Sequence, residues 1–485
     1  MELKKEIVLN NWQEGMAQSC HLGFEEIRGL DPFTVPGEMT VNYKLANSSI
    51  SSDSGVDAIP IQILNHISLA TGSAFDFVLL SDGDVWAGST LEEIKAASFT
   101  DLCPYKGYLM AANGNDLSAF DGTTWDDNVI TDLTPGFMLS SLDDKLYVAN
   151  VSPSANKIYT IEEKSGEIFD PNNDTTYTIT SPALTLPADM VVVCMCDLGT
   201  YIAIAAYSKY DRTKGYVYLW DGEATAASNR VIINGGIVNA MVAKNNRLFC
   251  QVGNKCEWYV TDGSTAQLFS KMPESFMTYF GSFTVDKYGL DFNEKGNIIF
   301  GISQPNASNG MTPNGIFELN TDTGKISFNN TVSAGVGVTA DPISIRAVRF
   351  NTFRSYRVGW AYYTSTPSYG VDDLSNSYRI TSYGAYIVSP FYQLGSSVGD
   401  KSAKLKGFEI HLTKLLPTGC GLKMYYRNIQ GGDWTQWGST ITDTTNNIFW
   451  QTAGLDSVKN IQFKLEVTTP SNNDVTPNIL KVIIY

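Results

Sequence analysis

Gly215-Tyr216-Val217-Tyr218-Leu219-Trp220-Asp221-Gly222 is an apolar run that ends in a tight-turn signal. Aspartate bonds its own backbone two residues on and glycine accepts a positive φ, so such a pair stops one strand and starts the next. The phrase recurs at Phe120-Asp121-Gly122, Lys164-Ser165-Gly166, Val260-Thr261-Asp262-Gly263 and Asp322-Thr323-Gly324. Its glycines, at 122, 166, 222, 263 and 324, lie 44, 56, 41 and 61 positions apart. A repeat of roughly 40–60 residues with several short strands per unit predicts a β-propeller.

The units read alike: an apolar strand, a loop, a second strand and the turn. Gly107–Ala112, Lys145–Ala149, Tyr201–Ala205, Arg247–Val252 and Asn297–Ile302 are nearly continuous apolar runs. They are read as the inner strands, packed on both faces. Phe75–Leu80 and Val85–Gly88 flank Asp82-Gly83 as a hairpin, and Leu91–Lys95 reads as a single helical turn. With a last unit near 343–385, the chain is predicted to be all-β: an irregular propeller of five to seven blades over 61–394. Residues 1–60 read as an extended N-terminal arm, punctuated by Pro and Gly, with the Ser/Asp/Gly stretch 46–58 as a loop. Residues 395–485 alternate apolar and polar in Phe408–Leu412, Gly421–Arg427 and Ile461–Val467, which predicts a C-terminal β-sandwich or jelly roll.

Composition narrows the partners. The 485 residues are 43% hydrophobic and 12% aromatic, and 17% are charged against a typical ~25%. A net charge of −16 disfavours binding that tracks phosphates, yet suits a wall along which DNA slides. No apolar run reaches the ~18 residues of a membrane helix, and none follows Met1 as a secretory signal would. The expectation is folding in a cytosol. The seven cysteines, at 20, 103, 194, 196, 250, 256 and 420, form no disulfide framework and read as reduced, structural thiols.

Candidate chemistry is sparse. The three histidines, His21, His66 and His411, are far apart, and Cys20-His21 lacks a second pair at zinc spacing. No phosphate-binding Gly-Lys-Ser/Thr loop occurs. Two carboxylates suffice for a glycosidase, and the pairs Asp126-Asp127, Asp143-Asp144, Glu162-Glu163 and Asp372-Asp373 are the candidates. Neighbours on a strand point to opposite faces, so they read as solvated charges. Asp82-Gly83-Asp84 and Asn320–Gly324 offer oxygens that suit calcium, but a turn explains them more simply. Asp121–Trp125 faintly resembles the aspartate box of sialidase-type propellers, itself a structural turn. Trp434 and Trp437 suit either a sandwich core or a sugar platform. The expectation is no catalytic residue, no cofactor and no metal.

The order of parts carries a resemblance. An arm of the form Gly29-Leu30-Asp31-Pro32-(x)3-Pro36-Gly37-Glu38 precedes the propeller, and strands with Lys406-Gly407-Phe408-x-Ile410 and Tyr425-Tyr426-Arg427 follow it. This resembles the β-propeller nozzle or tail-hub proteins of short-tailed bacteriophages, over the full length but through weak motifs. The resemblance implies a non-enzymatic virion tail protein, assembled in the host cytoplasm. It further implies a homo-oligomeric ring, hexameric in that family, beneath the portal and adaptor. Such a ring encloses a channel for DNA ejection without specific DNA binding, and offers attachment to fibres. On that reading the arm packs on a neighbouring chain, and the polar loops Ser303–Asn314 and Thr366–Ser377 suit subunit contacts or exposed tips. The alternative is a carbohydrate-binding or glycoside-acting propeller with two carboxylates and aromatics on its axis and the sandwich as binding module.

Overall fold

The computed structural model describes residues 6–485 apart from 17–23, 48–57, 68–71, 73, 88–91, 96, 141–143, 152–154, 273–283, 303–314, 334–342, 352–354, 363–367, 381–384, 395–401, 430, 472 and 473. Among the described residues the chain is all-β, with one 3-10 turn at Trp12–Glu14. Seven four-stranded blades form an irregular propeller. Blade 1 opens at Pro60–Ile67, blade 2 at Asp101–Tyr105, blade 3 at Pro135–Ser140 and blade 4 at Met190–Asp197. Blades 5, 6 and 7 open at Val238–Lys244, Leu290–Phe292 and Ile343–Asn351. These first strands lie against one another around a closed ring.

The recurring turn has one structural address. Gly122, Gly166, Gly222, Gly263 and Gly324 all have positive φ, and each joins the third strand of its blade to the fourth, in blades 2 to 6. Asp82-Gly83 is out of phase: it joins the second and third strands of blade 1. There Gly83 (φ 103°) is required twice over, because a Cβ would also sit 2.5 Å from Phe99 N.

Three expectations are corrected. The apolar runs read as inner strands are the second strands of their blades; Tyr108–Asn113, for example, is buried through its four central residues. A second strand lies under neighbouring blades on both faces, whereas a first strand turns partly toward the shaft. Glu92–Lys95 is the fourth strand of blade 1, not a helical turn, because pairing with Val85–Ala87 supplies its backbone bonds. Ser368–Arg379, within the expected loop at Thr366–Ser377, is the third strand of blade 7, paired with Ser355–Tyr362. The other expected loop, 303–314, and most of the 46–58 stretch lie outside the described residues.

The described strands of the arm pack on their own chain. Tyr43–Asn47 runs antiparallel to Ser368–Arg379, with Leu45 opposite Leu374, and is the fourth strand of blade 7. The ring is therefore closed by pairing the start of the chain with the end of the repeat. Ile63, Val78, Leu80 and Trp86 of blade 1 meet Ala347 and Val371 of blade 7 in one apolar cluster at this seam. Arg357 ties it further, reaching Asp76 at 2.6 Å and Asp373 at 2.7 Å. A ring left open would expose both this core and a strand edge.

A second arm strand, Glu26–Arg28, inserts between blade 6 and the C-terminal unit. It runs parallel to Ile326–Thr331 and antiparallel to Ala385–Val388. Blade 6 thus continues through the arm into the sheet Ala385–Val388, Asn460–Thr468, Gly421–Arg427 and Thr435–Gln436. The opposing sheet is Ile7–Leu9, Ile479–Ile484, Phe408–Leu412 and Ile448–Gln451. The sandwich sheet therefore already begins at Ala385, inside the stretch read as propeller. Trp437 is core: it stacks on Phe463 at 5.6 Å, meets Phe408 at 5.0 Å and donates Nε1–H to Ala453 O at 2.6 Å. Trp12, Phe24 and Ile27 of the arm join the same cluster as Phe300, Phe317 and Trp437, so arm, blade 6 and sandwich share one core.

Candidate functional site

The shaft is the one place where the first strands of all blades converge, so a site served by several blades belongs there. Two side chains from the segment before blade 6 cross it. Tyr288 donates its hydroxyl to Asp101 Oδ1 of blade 2, and Lys287 Nζ stands 3.3 Å from the same oxygen. Asp101 Oδ2 accepts Met138 N–H of blade 3 at 2.6 Å. Asp101 is 0% exposed. Burial pushes its carboxyl above the usual range, while the Lys287 ammonium pulls the other way. Tyr288 stacks on Phe137 at 6.0 Å, and Lys287 lies 4.5 Å over that ring. On the other side Asp286 pairs with Arg346 of blade 7. What remains of the shaft is a cavity of about 300 Å³, lined also by Ile61, Val193 and Asn239.

The shaft thus holds Asp101 and Asp286 beside the rings of Phe137 and Tyr288. Asp101 spends both oxygens on a lysine, a tyrosine and a backbone amide. Its role is a cross-brace between blades 2, 3 and 6. Sequence reading missed it; the only local signal is a lone aspartate heading the apolar run Asp101-Leu102-Cys103.

The adjacent carboxylate pairs diverge. Asp127 meets Lys95 at 2.7 Å while Asp126 accepts Asn172 Nδ2–H at 2.7 Å. Glu162 faces Lys145 at 3.3 Å, and Glu163 accepts Phe169 N–H at 2.9 Å. Asp372 is buried, accepting Ser333 Oγ–H at 2.6 Å and Trp360 Nε1–H at 2.9 Å, while Asp373 turns to Arg357. Asp144 meets Lys106 at 2.9 Å; Asp143 lies outside the described residues.

Cys20 and His21 also lie outside the described residues. His66 is buried with Nε2 3.1 Å from Gly107 O, and burial lowers its pKa, so the ring is neutral. His411 bonds Glu409 at 2.8 Å. Burial pushes the thiols of Cys194, Cys196 and Cys256 up to about 12, which keeps them protonated and poor nucleophiles. Trp434 lies half-buried under Arg427, 4.4 Å away.

The oxygen-rich turns bond inward. Asp82 Oδ1 accepts Asp84 N–H, Asp84 Oδ1 accepts Ala97 N–H, and Asn320 Oδ1 accepts Asp322 and Thr323 N–H. Among the described residues no group of three or more His, Cys, Asp or Glu is placed to hold a metal ion. Excess EDTA or 5 mM-scale calcium (roughly) is therefore expected to leave the thermal midpoint unchanged, since a ligand stabilises only what it binds. A calcium-dependent rise of several degrees would show that one of these turns opens to bind the ion.

Buried acids set an expected pH dependence. Burial raises the carboxyls of Asp101, Asp291, Glu318 and Asp372. A raised carboxyl binds its proton more tightly in the folded state than in the unfolded chain, so its ionisation costs stability above the raised value and that cost is relieved as pH falls through it. His66 acts oppositely, costing stability as pH falls below its ordinary 6.5. The turn aspartates Asp221 and Asp262 are lowered by bonds from Ala224 and Ser264, and lose their contribution only as pH drops below about 3.8. The net charge of −16 shrinks on the same path, which eases self-repulsion in the folded chain as pH falls. The thermal midpoint at pH 5.5 is expected to equal or exceed that at pH 8; a clear fall would contradict this balance.

No family model and no curated protein matches the chain. Solved structures do. The Myceliophteria thermophila Cps50 (Swd1) β-propeller domain is 10% identical, with 66% of this chain and 97% of that one covered at a TM-score of 0.44. The WD40 β-propeller domain of Doa1 is 12% identical, covering 69% and 97% at 0.43. BBS1N, solved in complex with ARL6DN, is 12% identical, covering 69% and 98% at 0.41. The chain is a β-propeller by its own blade topology; at these identities the likenesses say nothing of activity.

Proposed function

We propose that this chain is a structural protein, an oligomeric component of a phage-type virion tail, in which the propeller is scaffold. The observation that supports the scaffold reading is the shaft, whose charged groups brace one blade to another. The tail reading rests on the order of arm, propeller and sandwich. Because the shaft is crossed by Lys287 and Tyr288, a DNA path belongs between several copies and not inside one propeller. The charge of −16 suits a channel wall from which DNA is repelled.

Sedimentation or light scattering of the purified full-length chain, followed by imaging of particles that contain it, tests this. A closed ring in solution or in the particle supports the proposal. A strict monomer at all concentrations, with no ring in particles, overturns it.

A further inference from the structure

A second cavity, of about 620 Å³, lies where arm, blade 6, blade 7 and sandwich meet. Its size is that of a small-molecule site, but its walls are far more polar than usual. Its charges are held in place. Glu318, almost wholly buried, accepts amide N–H from Asn297 at 2.7 Å, Asn329 at 2.8 Å and Asn293 at 3.0 Å. Asp31 accepts Phe33 and Thr34 N–H and pairs with Lys295 at 2.9 Å. Arg379 bonds Asp474 at 2.8 Å and Val41 O at 2.8 Å, and lies 3.7 Å over the Tyr43 ring.

The chemistry of these walls selects a ligand class. Asp31 and Glu294 balance Lys295 and Arg379, and the buried Glu318 adds a further acid, so the wall offers an anion no net positive charge. A metal ion would have to displace the Lys295 ammonium from Asp31. An apolar ligand would strip water from amides and hydroxyls without replacing their bonds. Asn42 Nδ2–H is given to Asn329 O, Asn478 Nδ2–H to Glu38, and the Thr476 hydroxyl is held between Val41 N–H and Pro477 O, so the wall meets a ligand's hydroxyls with the amide oxygens of Asn42 and Asn478 and the Thr40 hydroxyl. Phe350 and Leu374 add an apolar strip for the C–H face of a sugar ring.

We propose that this junction cavity binds a neutral saccharide of one or two rings. The proposal rests on the cavity alone and stands or falls independently of oligomeric state. The test is saturation-transfer NMR and calorimetry on the full chain. The panel is glucose, galactose, N-acetylglucosamine and lactose, with sialic acid and calcium as charged controls. At least one neutral sugar is expected to bind with a Kd below about 1 mM. Val35 stands at the cavity wall with 39% exposure, so Val35→Trp should block entry without disturbing a buried group. It is expected to weaken binding at least about tenfold, a loss of ~1.4 kcal/mol, at an unchanged thermal midpoint. Hydrogen-exchange protection of residues 31–43 and 293–295 by the same sugar gives a second readout that needs no variant. Absence of binding by every neutral sugar at roughly 10 mM, near the weakest affinity such a site can usefully have, overturns the proposal. So does binding that Val35→Trp leaves intact with no protection of these segments, or binding of the charged controls alone.

Discussion

A chain lacking residues 1–47 is expected to lose its cooperative thermal transition and to aggregate. The deletion removes the fourth strand of blade 7 together with Trp12, Phe24, Ile27, Leu30, Met39, Val41 and Leu45, all buried. Truncating one large buried side chain costs about 2–5 kcal/mol, whereas a whole domain is stable by only about 5–15 kcal/mol. Seven such losses exceed that margin, before the exposed edge of Ser368–Arg379 is counted. Leu45→Asp isolates the closure from the rest of the arm. Leu45 belongs to the cluster between blades 6 and 7, with Ile299, Ile316, Val348 and Trp360. An unpaired carboxylate there is expected to cost about 3 kcal/mol or more. Denaturant unfolding of the point variant and calorimetry of the truncated chain measure both. A truncated chain that melts where the intact chain does would mean that the propeller closes without its arm.

Asp101→Ala should destabilise the fold by about 3–5 kcal/mol, the range for breaking a buried pair. The substitution leaves the Lys287 ammonium, the Tyr288 hydroxyl and Met138 N–H without their shared acceptor. The double variant Asp101→Leu with Lys287→Met is expected to recover most of the loss, because a matched apolar pair avoids the desolvation that the ion pair carries. Recovery would identify the brace as a source of register between blades more than of net stability. If Asp101→Ala proves neutral in urea unfolding, the shaft is not braced in the way described.

Much of the fold was legible because its signals are local. Asp-Gly turns are set by the conformations of two residues, and a period of strands and turns needs no knowledge of partners. The same locality explains the errors. Glu92–Lys95 has helix-favouring residues and becomes a strand only because Val85–Ala87 lies beside it. The apolar second strands read as inner ones because burial on both faces gives the same pattern whichever wall supplies the cover. Of the candidate sites, the turn reading of Asp82–Asp84 and Asn320–Gly324 could be made from residue type. The pairing of Asp101 with Lys287, 186 positions away, could not.

The opening phrase shows the division clearly. Five turns at 122, 166, 222, 263 and 324 determined the repeat, the all-β class and the pitch of blades 2 to 6, since each is an exchange of hydrogen bonds between adjacent strands. Why a seven-bladed ring carries the phrase only five times was decided in three dimensions. Blade 1 places its Asp-Gly turn one strand earlier. Blade 7 has no third-to-fourth turn, because its fourth strand, Tyr43–Asn47, arrives from the other end of the chain. Ring closure, the crossed shaft and the shared core of arm and sandwich join residues hundreds of positions apart. They are set by which surfaces must be covered once the blades have formed, and no local pattern encodes that.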